Sequence, residues 1–305
     1  MMAGGAVTVR VPASTANLGP GFDSLGLALT LYNTATLALR ADGEVRITVE
    51  GEGRGRLDRE GKASLLARAA AATFGHLGAE SFGLDIALHN QIPLRRGLGS
   101  SGTAILSGIT GAAALLGRAL TTDEVLRLAL PFEGHPDNLT PSLLGGLVAS
   151  GLADGQVLAV RVPLGAPLRA VAVIPDRELP TAEARRVLPR EVLREDAVFN
   201  VTRTALMVAA LATGQYACLP EASRDRLHQP YRASLLPGLE EVCEAARKAG
   251  ALAAFLSGAG STVLALVVEG GEGVGEAMRR VWRDRFGITA AVRHLKIDTE
   301  GLRAA

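Results

Sequence analysis

The amino-acid sequence predicts an α+β protein. Near its start, "AVTVRVPAS" and "EVRITVEG" alternate apolar and polar residues, as half-buried strands do. The last third reads helix, strand, strand, helix, strand, which is typical of an α+β sandwich. The glycine-containing stretch "GLADGQ" separates the two patterns and predicts a division near residue 155, with domains at 1–155 and 156–305.

The elements of the first half follow from spacing and capping signals. Residues 62–78 have helical spacing and end at a glycine, and Thr121 with Glu124 has the spacing of a capping box at a helix start. Small residues on one face of the helix after Leu98 predict a close approach by a neighbouring backbone. In order, the first half reads helix "KASLLARAAAATFGHLG", strand "SFGLDIALHNQIP", helix "SSGTAILSGITGAAALLG", helix "TTDEVLRLAL", loop "EGHPDN", and short helix then strand "LTPSLLGGLVASGL".

The second half opens with two strands in "VLAVRVPLGAPLRAVAVIP". A helix then starts at Thr181, for which the sequence predicts a threonine N-cap. The remaining predictions are helix "DAVFNVTRTALMVAALATG", helix "LPGLEEVCEAARKAG", strand–turn–strand "ALAAFLSGAGSTVLALVVEG", helix "VGEAMRRVWRDRFG" and strand "TAAVRHLKI".

Composition excludes several classes of function. The chain has 305 residues, 48% hydrophobic and 21% charged, which is ordinary for a globular protein. A net charge of +1 and 4% aromatic residues give no basic field and few stacking surfaces, so we expect no nucleic-acid partner. Cys218 and Cys243 have no metal or redox spacing. With no secretory signal and no apolar run that reads as a span, we expect a cytoplasmic protein with no membrane partner.

The segment Gly97–Gly102, "GLGSSG", is the most informative short motif. It fits GxGxxG, but the nearest acid at dinucleotide-binding distance is Asp123, which begins a helix instead of ending a second strand. It cannot be a Walker A loop, because it has no lysine. What remains is a glycine loop feeding a helix N-terminus, where free N–H groups and the helix dipole favour an anion. From the loop alone, an ordinary capped helix after a turn stays an alternative.

Four stretches together give a more specific indication. "VPASTANLGPGFDSLGLAL" (Val11–Leu29), "IPLRRGLGSSGTA", "EGHPDN" and "LSGAGSTVLAL" (Leu256–Leu266) occur in this order. In this the chain resembles the GHMP small-molecule kinase superfamily, and within it the branch that phosphorylates the amino acid homoserine. The resemblance implies the GHMP kinase fold, with an N-terminal domain like domain 2 of ribosomal protein S5 and a C-terminal ferredoxin-like sandwich. ATP would lie between them.

The resemblance also implies an activity. The γ-phosphoryl group of ATP would pass to the hydroxyl of L-homoserine, giving O-phospho-L-homoserine in threonine biosynthesis, with ATP and Mg²⁺ as cofactors. A GHMP kinase for another small alcohol and a non-catalytic binding protein on the same scaffold are the alternatives. Ser101, Glu133 and Asp137 are all present, which favours catalysis.

Homoserine carries three groups that a site must meet. A carboxylate suits arginine, and Arg185, with Thr181 before it, and Arg232 in "HQPYR" match the family pattern. By the same resemblance, Asp23 and Asn17 receive the ammonium group. Surface arginines and an Asx turn are the structural alternatives for these residues.

The remaining roles are also implied by the resemblance. His135, Asp137, Asn138 and Gly258 would contact the amino acid, with Asn138 near its hydroxyl and Asp137 and Asn138 as the catalytic residues. Whether Asp137 acts as a base stays open. Glu133 with Ser101 would hold Mg²⁺.

The nucleotide would be bound by residues around the glycine loop. Arg95 and Arg96 could supply positive charge that a lysine supplies elsewhere, and Ser64 is the candidate at the adenine. The expected set is Ile92, Pro93, Arg95, Arg96, Gly97, Leu98, Gly99, Ser100, Ser101, Gly102 and Ser64. A homodimer is the statistical expectation for such an enzyme.

Overall fold

The protein is described by a computed structural model that covers residues 5–79, 83–269 and 271–305. Parts of the predictions for the start of the chain, and for Ser81, Phe82 and Gly270, therefore lie outside the described residues. Among the described residues, no helix combines the length and apolar character needed to cross a bilayer.

The first half forms a mixed sheet in which the strands β3 and β4 are parallel and the other pairs are antiparallel. Its central path runs β11-β1-β2-β4-β3, and β5 joins β2 to β6. The strands are β1 (Val7–Ala16), β2 (Leu25–Arg40), β3 (Val45–Gly51), β4 (Gly83–Asn90), β5 (Leu147–Ala153), β6 (Gln156–Val162) and β11 (Arg303–Ala304).

The sequence patterns did not predict β2, the longest strand of this sheet at 16 residues. The reason is burial: Leu25–Leu29 are buried on both faces, so the strand begins without alternation. β2 pairs with β1 along one edge and with β4 and β5 along the other. The loop that joins β1 to β2 is buried over residues 17–21 and half-buried over residues 22–24.

The part of this half that the structure describes has four α-helices, and the core packs them on one face of the sheet. They are α1 (Leu65–His76), α2 (Ser100–Leu115), α3 (Thr122–Glu133) and α4 (Leu139–Leu144). The capping box of Thr121 and Glu124 is confirmed. The close approach is confirmed as well, because a Cβ on Gly108 would lie 2.3 Å from the Leu66 carbonyl oxygen.

The second half forms an antiparallel sheet of order β10-β7-β9-β8. Its strands are β7 (Arg169–Pro175), β8 (Ala253–Leu256), β9 (Val263–Val267) and β10 (Ala290–Lys296). With α10 between β9 and β10 and helices between β7 and β8, the chain runs β-α-β-β-α-β, the order of a ferredoxin-like sandwich. The helices are α5 (Thr181–Arg186), α6 (Arg194–Thr213), α7 (Leu219–Ala222), α8 (Gln229–Arg232), α9 (Leu239–Lys248) and α10 (Glu272–Phe286).

The two sheets share a core. One face of the second sheet is covered by α9 and α10 around Trp282, and the other packs against the first half, where Phe255 and Leu266 join Leu27 and Leu29 in one cluster. Burial on both faces makes β8 and β9 continuous apolar runs.

Two boundary predictions differ from the structure. Asp154 and Gly155 form the turn of the β5–β6 hairpin, so the first sheet continues to Val162 and recruits β11 from the chain end. The "GLADGQ" signal is therefore a hairpin turn and not an interdomain linker. The predicted cap of α5 is wrong: Pro180 occupies the N-cap position and Thr181 is the first helical residue.

Candidate active site

A cleft of about 430 Å³ lies between the two halves. Loops from both halves line it: the β1–β2 loop, the glycine loop, the α3–α4 loop, the start and end of α5, the end of α8, and the β8–β9 turn. The sequence-predicted residues that line it are Asn17, Asp23, Arg95, Arg96, Gly97, Gly99, Ser100, Ser101, Glu133, His135, Asp137, Asn138, Thr181, Arg185, Arg232 and Gly258.

The glycine loop is wedged between β1 and the β8–β9 turn. Gly97 and Gly99 both have positive φ, +75° and +73°, which favours glycine. A Cβ on Gly97 would lie 2.1 Å from the Ser257 carbonyl oxygen, and one on Gly99 would lie 2.2 Å from Ser14 Oγ. Ser14 N–H donates to the Leu98 carbonyl at 3.2 Å, which fixes the loop on the strand.

The loop delivers α2 to the cleft with its N-terminus uncapped. Gly99 is the N-cap and offers no side chain, and the first helical hydrogen bond runs from Thr103 N–H to the Gly99 carbonyl at 3.0 Å. Among the described residues, the N–H groups of Ser100, Ser101 and Gly102 have no backbone acceptor. Three free donors on a 16-residue helix suit the binding of phosphate oxygens.

Arg95 and Arg96 line the cleft but already have acidic partners. Arg96 donates to the Pro175 carbonyl and, at 3.1 Å, to Asp176. Nη1 of Arg95 lies 3.7 Å from Oε2 of Glu178. These contacts join the glycine loop to the second half. Glu178 also accepts from Arg56, which lines the cleft as well, so three guanidinium groups share two carboxylates.

Five expected nucleotide contacts are not among the residues that line the cleft. Two of them, Leu98 and Gly102, belong to the glycine loop and are buried. Ser64 is the buried N-cap of α1, where its Oγ accepts from Ala67 N–H at 3.2 Å. Ile92 is buried with its N–H bonded to Asn33 Oδ1 at 3.1 Å, and Pro93 lines a separate depression.

Sequence reasoning missed a polar cluster that does line the cleft. Asn33 Nδ2 donates to Thr103 Oγ1 at 2.9 Å, and both side chains are buried. Asn90 and the apolar residues Leu57 and Leu65 complete this side. Since Asn33 lies on the strand that the patterns did not predict, no signal identified it.

Ser101 and Glu133 form a hydroxyl–carboxylate pair beside the α2 N-terminus. Ser101 Oγ donates to Glu133 Oε1 at 3.0 Å. Burial raises the pKa of Glu133, and the neighbouring His135, Ser101 and Arg185 oppose that shift only in part. A carboxylate that burial makes costly to ionise is stabilised by a nearby cation, and its oxygen together with the serine oxygen suits Mg²⁺.

His135, Asp137 and Asn138 form one hydrogen-bonded group. His135 Nδ1 lies 2.6 Å from Asp137 Oδ1, and Asn138 Nδ2 lies 3.5 Å from the same oxygen. Ser14 Oγ donates to Asn138 Oδ1 at 3.0 Å. Burial lowers the pKa of His135, but its hydrogen bond and the charges of Asp137 and Glu133 outweigh burial, so the net shift is upward. The group is therefore fixed before any substrate arrives.

Asp23 and Arg185 form a bidentate ion pair beside this group. The nitrogen–oxygen distances are 2.7 and 3.1 Å, and each side chain is 35% exposed. A carboxylate oxygen of Asp23 lies within 4.8 Å of ligand atoms of His135 and Asp137. Asp23 N–H donates to Asn17 Oδ1 at 3.1 Å, and both residues have positive φ. The residues predicted to meet the ammonium and the carboxylate are thus side by side, with charges that complement a zwitterion.

Arg232 is fixed behind this pair and is only 2% exposed. Its Nε donates to the Ala184 carbonyl at 3.2 Å, and its Nη1 to the Gly258 carbonyl at 2.9 Å. Burial, with the nearby charge of Arg185, lowers the pKa of Arg232 to about 10, so it stays cationic at neutral pH. Among the described residues, its Nη2 has no hydrogen-bond partner, which leaves two donors for a carboxylate.

Comparison with known proteins identifies the family. The model of the GHMP kinase N-terminal domain matches residues 64–146, and that of the GHMP kinase C-terminal domain matches residues 207–286. The chain belongs to the GHMP kinase family.

The named relatives are more specific. Homoserine kinase of Aquifex aeolicus (strain VF5) is 43% identical over 297 residues, covering 97% of this chain and 99% of the relative. Homoserine kinase of Moorella thermoacetica (strain ATCC 39073 / JCM 9320) is 46% identical over 287 residues, covering 94% and 96%. A crystal structure of homoserine kinase from Cytophaga hutchinsonii ATCC 33406 aligns with a TM-score of 0.88 at 29% identity, covering 98% and 97%.

Proposed function

We infer that this chain is a kinase that transfers the γ-phosphoryl group of ATP to the hydroxyl of L-homoserine, giving O-phospho-L-homoserine in threonine biosynthesis. Its identity to homoserine kinases over nearly its whole length supports this activity. The observation that carries it is the juxtaposition of Asp23, Arg185 and Arg232, because a carboxylate beside two guanidinium groups complements an α-amino acid. Sugars and mevalonate have no ammonium group for such a site.

We propose that ATP places its phosphates at the α2 N-terminus. The free N–H groups of Ser100–Gly102 and the helix dipole would stabilise the negative charge of the transferring group. Mg²⁺ would be held by Ser101 and Glu133, and when bound it would neutralise phosphate charge. Asn33 and Thr103 also line the cleft, and the apolar residues Leu57 and Leu65 would offer a surface for the adenine ring of ATP.

The amino acid would occupy the end of the cleft around α5 and α8. Its carboxylate would accept hydrogen bonds from Arg185 and from Nη2 of Arg232, and its ammonium would lie against Asp23 and the Asn17 amide. Thr181 and Gly258 line this end of the cleft. Its hydroxyl would then point toward Asn138 and the phosphates.

For Asp137 we propose a positioning role. Its Oδ1 already faces both His135 and Asn138, so that oxygen is engaged in orienting them. Phosphoryl transfer through a loose transition state requires little removal of the hydroxyl proton beforehand. The catalytic contribution of Asp137 and Asn138 would therefore be geometric.

A coupled ADP-release assay tests the function directly. We expect ATP- and Mg²⁺-dependent turnover with L-homoserine, and none above background with mevalonate, galactose or shikimate. Turnover with one of the other alcohols in place of homoserine would overturn the substrate assignment, and binding without turnover would indicate the non-catalytic alternative. The cytoplasmic location and the homodimer stay predictions.

A further inference from the structure

His228 is a completely buried histidine that the proposed reaction does not use. It lies directly before α8, four residues from Arg232. Its Nε2 is 2.7 Å from the carbonyl oxygen of Gly19, and its Nδ1 is 3.3 Å from Nη1 of Arg232. The ring therefore connects the β1–β2 loop, which carries Asn17 and Asp23, with the buried arginine.

The contacts of the two ring nitrogens determine where the ring proton lies. Besides the Gly19 carbonyl, Nε2 also faces Oδ2 of Asp225, at 3.5 Å. A guanidinium group only donates hydrogen bonds, so Nδ1 of His228 must be the acceptor and Nε2 must carry the proton that is donated to Gly19. The environment agrees with a neutral ring. Burial lowers the pKa of His228 and the charge of Arg232 lowers it further, while the charges of Asp225 and Asp23 oppose these effects only in part.

The ring has little freedom to move. It stacks on Phe22 with centroids 5.2 Å apart and planes at 22°. Asp225 accepts the backbone N–H of His228 at 3.0 Å and that of Gln229 at 2.6 Å. Phe22 in turn lies 5.6 Å from the Arg185 guanidinium and 5.4 Å from that of Arg232, so both arginines contact the same aromatic ring.

The Gly19 side of the connection is rigid as well. A Cβ on Gly19 would lie 2.2 Å from the Ser223 carbonyl oxygen, so the loop is pressed against the second half. Pro20 accepts a hydrogen bond from Asn200 Nδ2 at 2.9 Å. A loop held in this way gives His228 a fixed hydrogen-bond acceptor. The fixed imidazole ring in turn restricts the position of the Arg232 guanidinium group.

We propose that His228 is a positioning residue for the amino-acid substrate: through Nδ1 it orients Arg232 so that the remaining guanidinium donors face the substrate carboxylate, and through Nε2 it holds the loop that receives the ammonium. This inference rests on the proposed function, because it requires Arg232 to bind a carboxylate. It adds a residue that touches neither substrate nor nucleotide.

Two substitutions separate the two contacts. The amide oxygen in His228→Asn falls near the position of Nδ1 and can still accept from Arg232, but the shorter side chain loses Gly19. In His228→Gln the amide reaches toward Gly19, and the acceptor for Arg232 is lost. His294→Asn, at an exposed position on β10, is the matched control.

The readout compares two acceptors of the phosphoryl group. 3-Aminopropan-1-ol has the hydroxyl and ammonium groups of homoserine but no carboxylate. For His228→Gln we expect the ratio of kcat/KM for homoserine to that for 3-aminopropan-1-ol to fall about 10- to 100-fold, as for loss of a hydrogen bond to a charged group. For His228→Asn we expect both values to fall together with their ratio kept. KM for ATP should stay at the native value in both variants.

The outcomes are distinguishable. If His228→Gln keeps the native ratio, or lowers both values by the same factor, the positioning role is wrong while the proposed function stands. If the native protein uses both acceptors equally well, the carboxylate assignment is wrong and the inference falls with it. If it uses neither acceptor, the proposed function itself is wrong.

A measurement on the native chain covers the case in which the variants do not fold. Nitrogen-15 NMR of the imidazole should show His228 neutral at neutral pH, with the proton on Nε2. An imidazolium, or a proton on Nδ1, would overturn the proposal, because Nδ1 could not then accept from Arg232.

Discussion

The substitution Gly99→Ala tests whether the glycine loop is held by close contact as well as by backbone conformation. Gly99 has φ +73°, where an L-residue costs about 1–2 kcal/mol. The added Cβ would also lie 2.2 Å from Ser14 Oγ and 3.3 Å from Asn138 Oδ1, the two atoms of a 3.0 Å hydrogen bond. Overpacking of this kind costs about 1–3 kcal/mol. We therefore expect a total loss of about 2–5 kcal/mol in the free energy of unfolding.

Gly117→Ala is the matched control. Gly117 has φ +66°, but nothing lies within 4 Å of the position of its Cβ. It should show only the conformational cost of about 1–2 kcal/mol, and its activity should be native. The difference between the two variants isolates the steric contribution at Gly99.

Urea unfolding and steady-state kinetics are the assays. Because the new methyl group displaces the Ser14–Asn138 contact and moves the first turn of α2, Gly99→Ala should also lose kcat with both ATP and homoserine saturating. Equal destabilisation by the two substitutions, together with native kcat for Gly99→Ala, would refute the close-contact reasoning and leave only the φ argument.

Four further predictions concern the reacting groups. Ser101→Ala should lower kcat strongly with native stability, since it removes a phosphate or Mg²⁺ contact and little volume; near-native activity with an unchanged Mg²⁺ requirement would contradict it. Homoserine methyl ester should be a much poorer substrate than homoserine, and Arg185→Ala should cost about 2–3 kcal/mol in kcat/KM; equal use of ester and acid by the native protein would contradict the arginine assignment. Asp137→Asn should lower kcat at every pH without changing the shape of the pH–rate profile, whereas loss of one limb would establish a general base. At pH values above the pKa of Glu133, Glu133→Gln should unfold at a higher temperature than the native protein. The pKa of Glu133 is raised in the folded state, so its ionised form lowers stability at high pH and has no such cost below the ordinary glutamate pKa. The gain in unfolding temperature should therefore vanish in acid, and a pH-independent difference would contradict this prediction.

Much of the fold follows from local pattern. Apolar spacing identified the helices around α1, α2, α9 and α10, and Thr121 with Glu124 marked the start of α3, because these signals lie within a few residues of one another. The sandwich of the second half was readable from the order of its elements. The first residues of β2 show no alternation because they are buried on both faces, which depends on the neighbouring elements. From Asn33 to Leu37 burial does alternate, and the sequence patterns missed this part as well.

The candidate site divides in the same way. Local sequence predicted a glycine loop that opens a helix, and the family resemblance supplied the residues that line the opposite wall. Neither the local sequence nor the resemblance showed that the Ser64 hydroxyl caps α1, although the position of Ser64 before this helix permits that role. A cap and a ligand contact require the same kind of side chain, so only the location of the cleft separates them.

The sequence by itself determined which charged groups the protein possesses, and the tertiary structure decided which of them are available. Arg96 and Arg185 both line the cleft. Arg96 donates hydrogen bonds to Pro175 and Asp176, whereas Arg185 donates to Asp23, 162 residues away. Burial lowers the pKa of His228, and contacts with loops distant in sequence leave Arg232 with free donors. Hydrogen bonding and the cost of burying charge depend on distances in space, which a pattern of neighbouring residues does not contain.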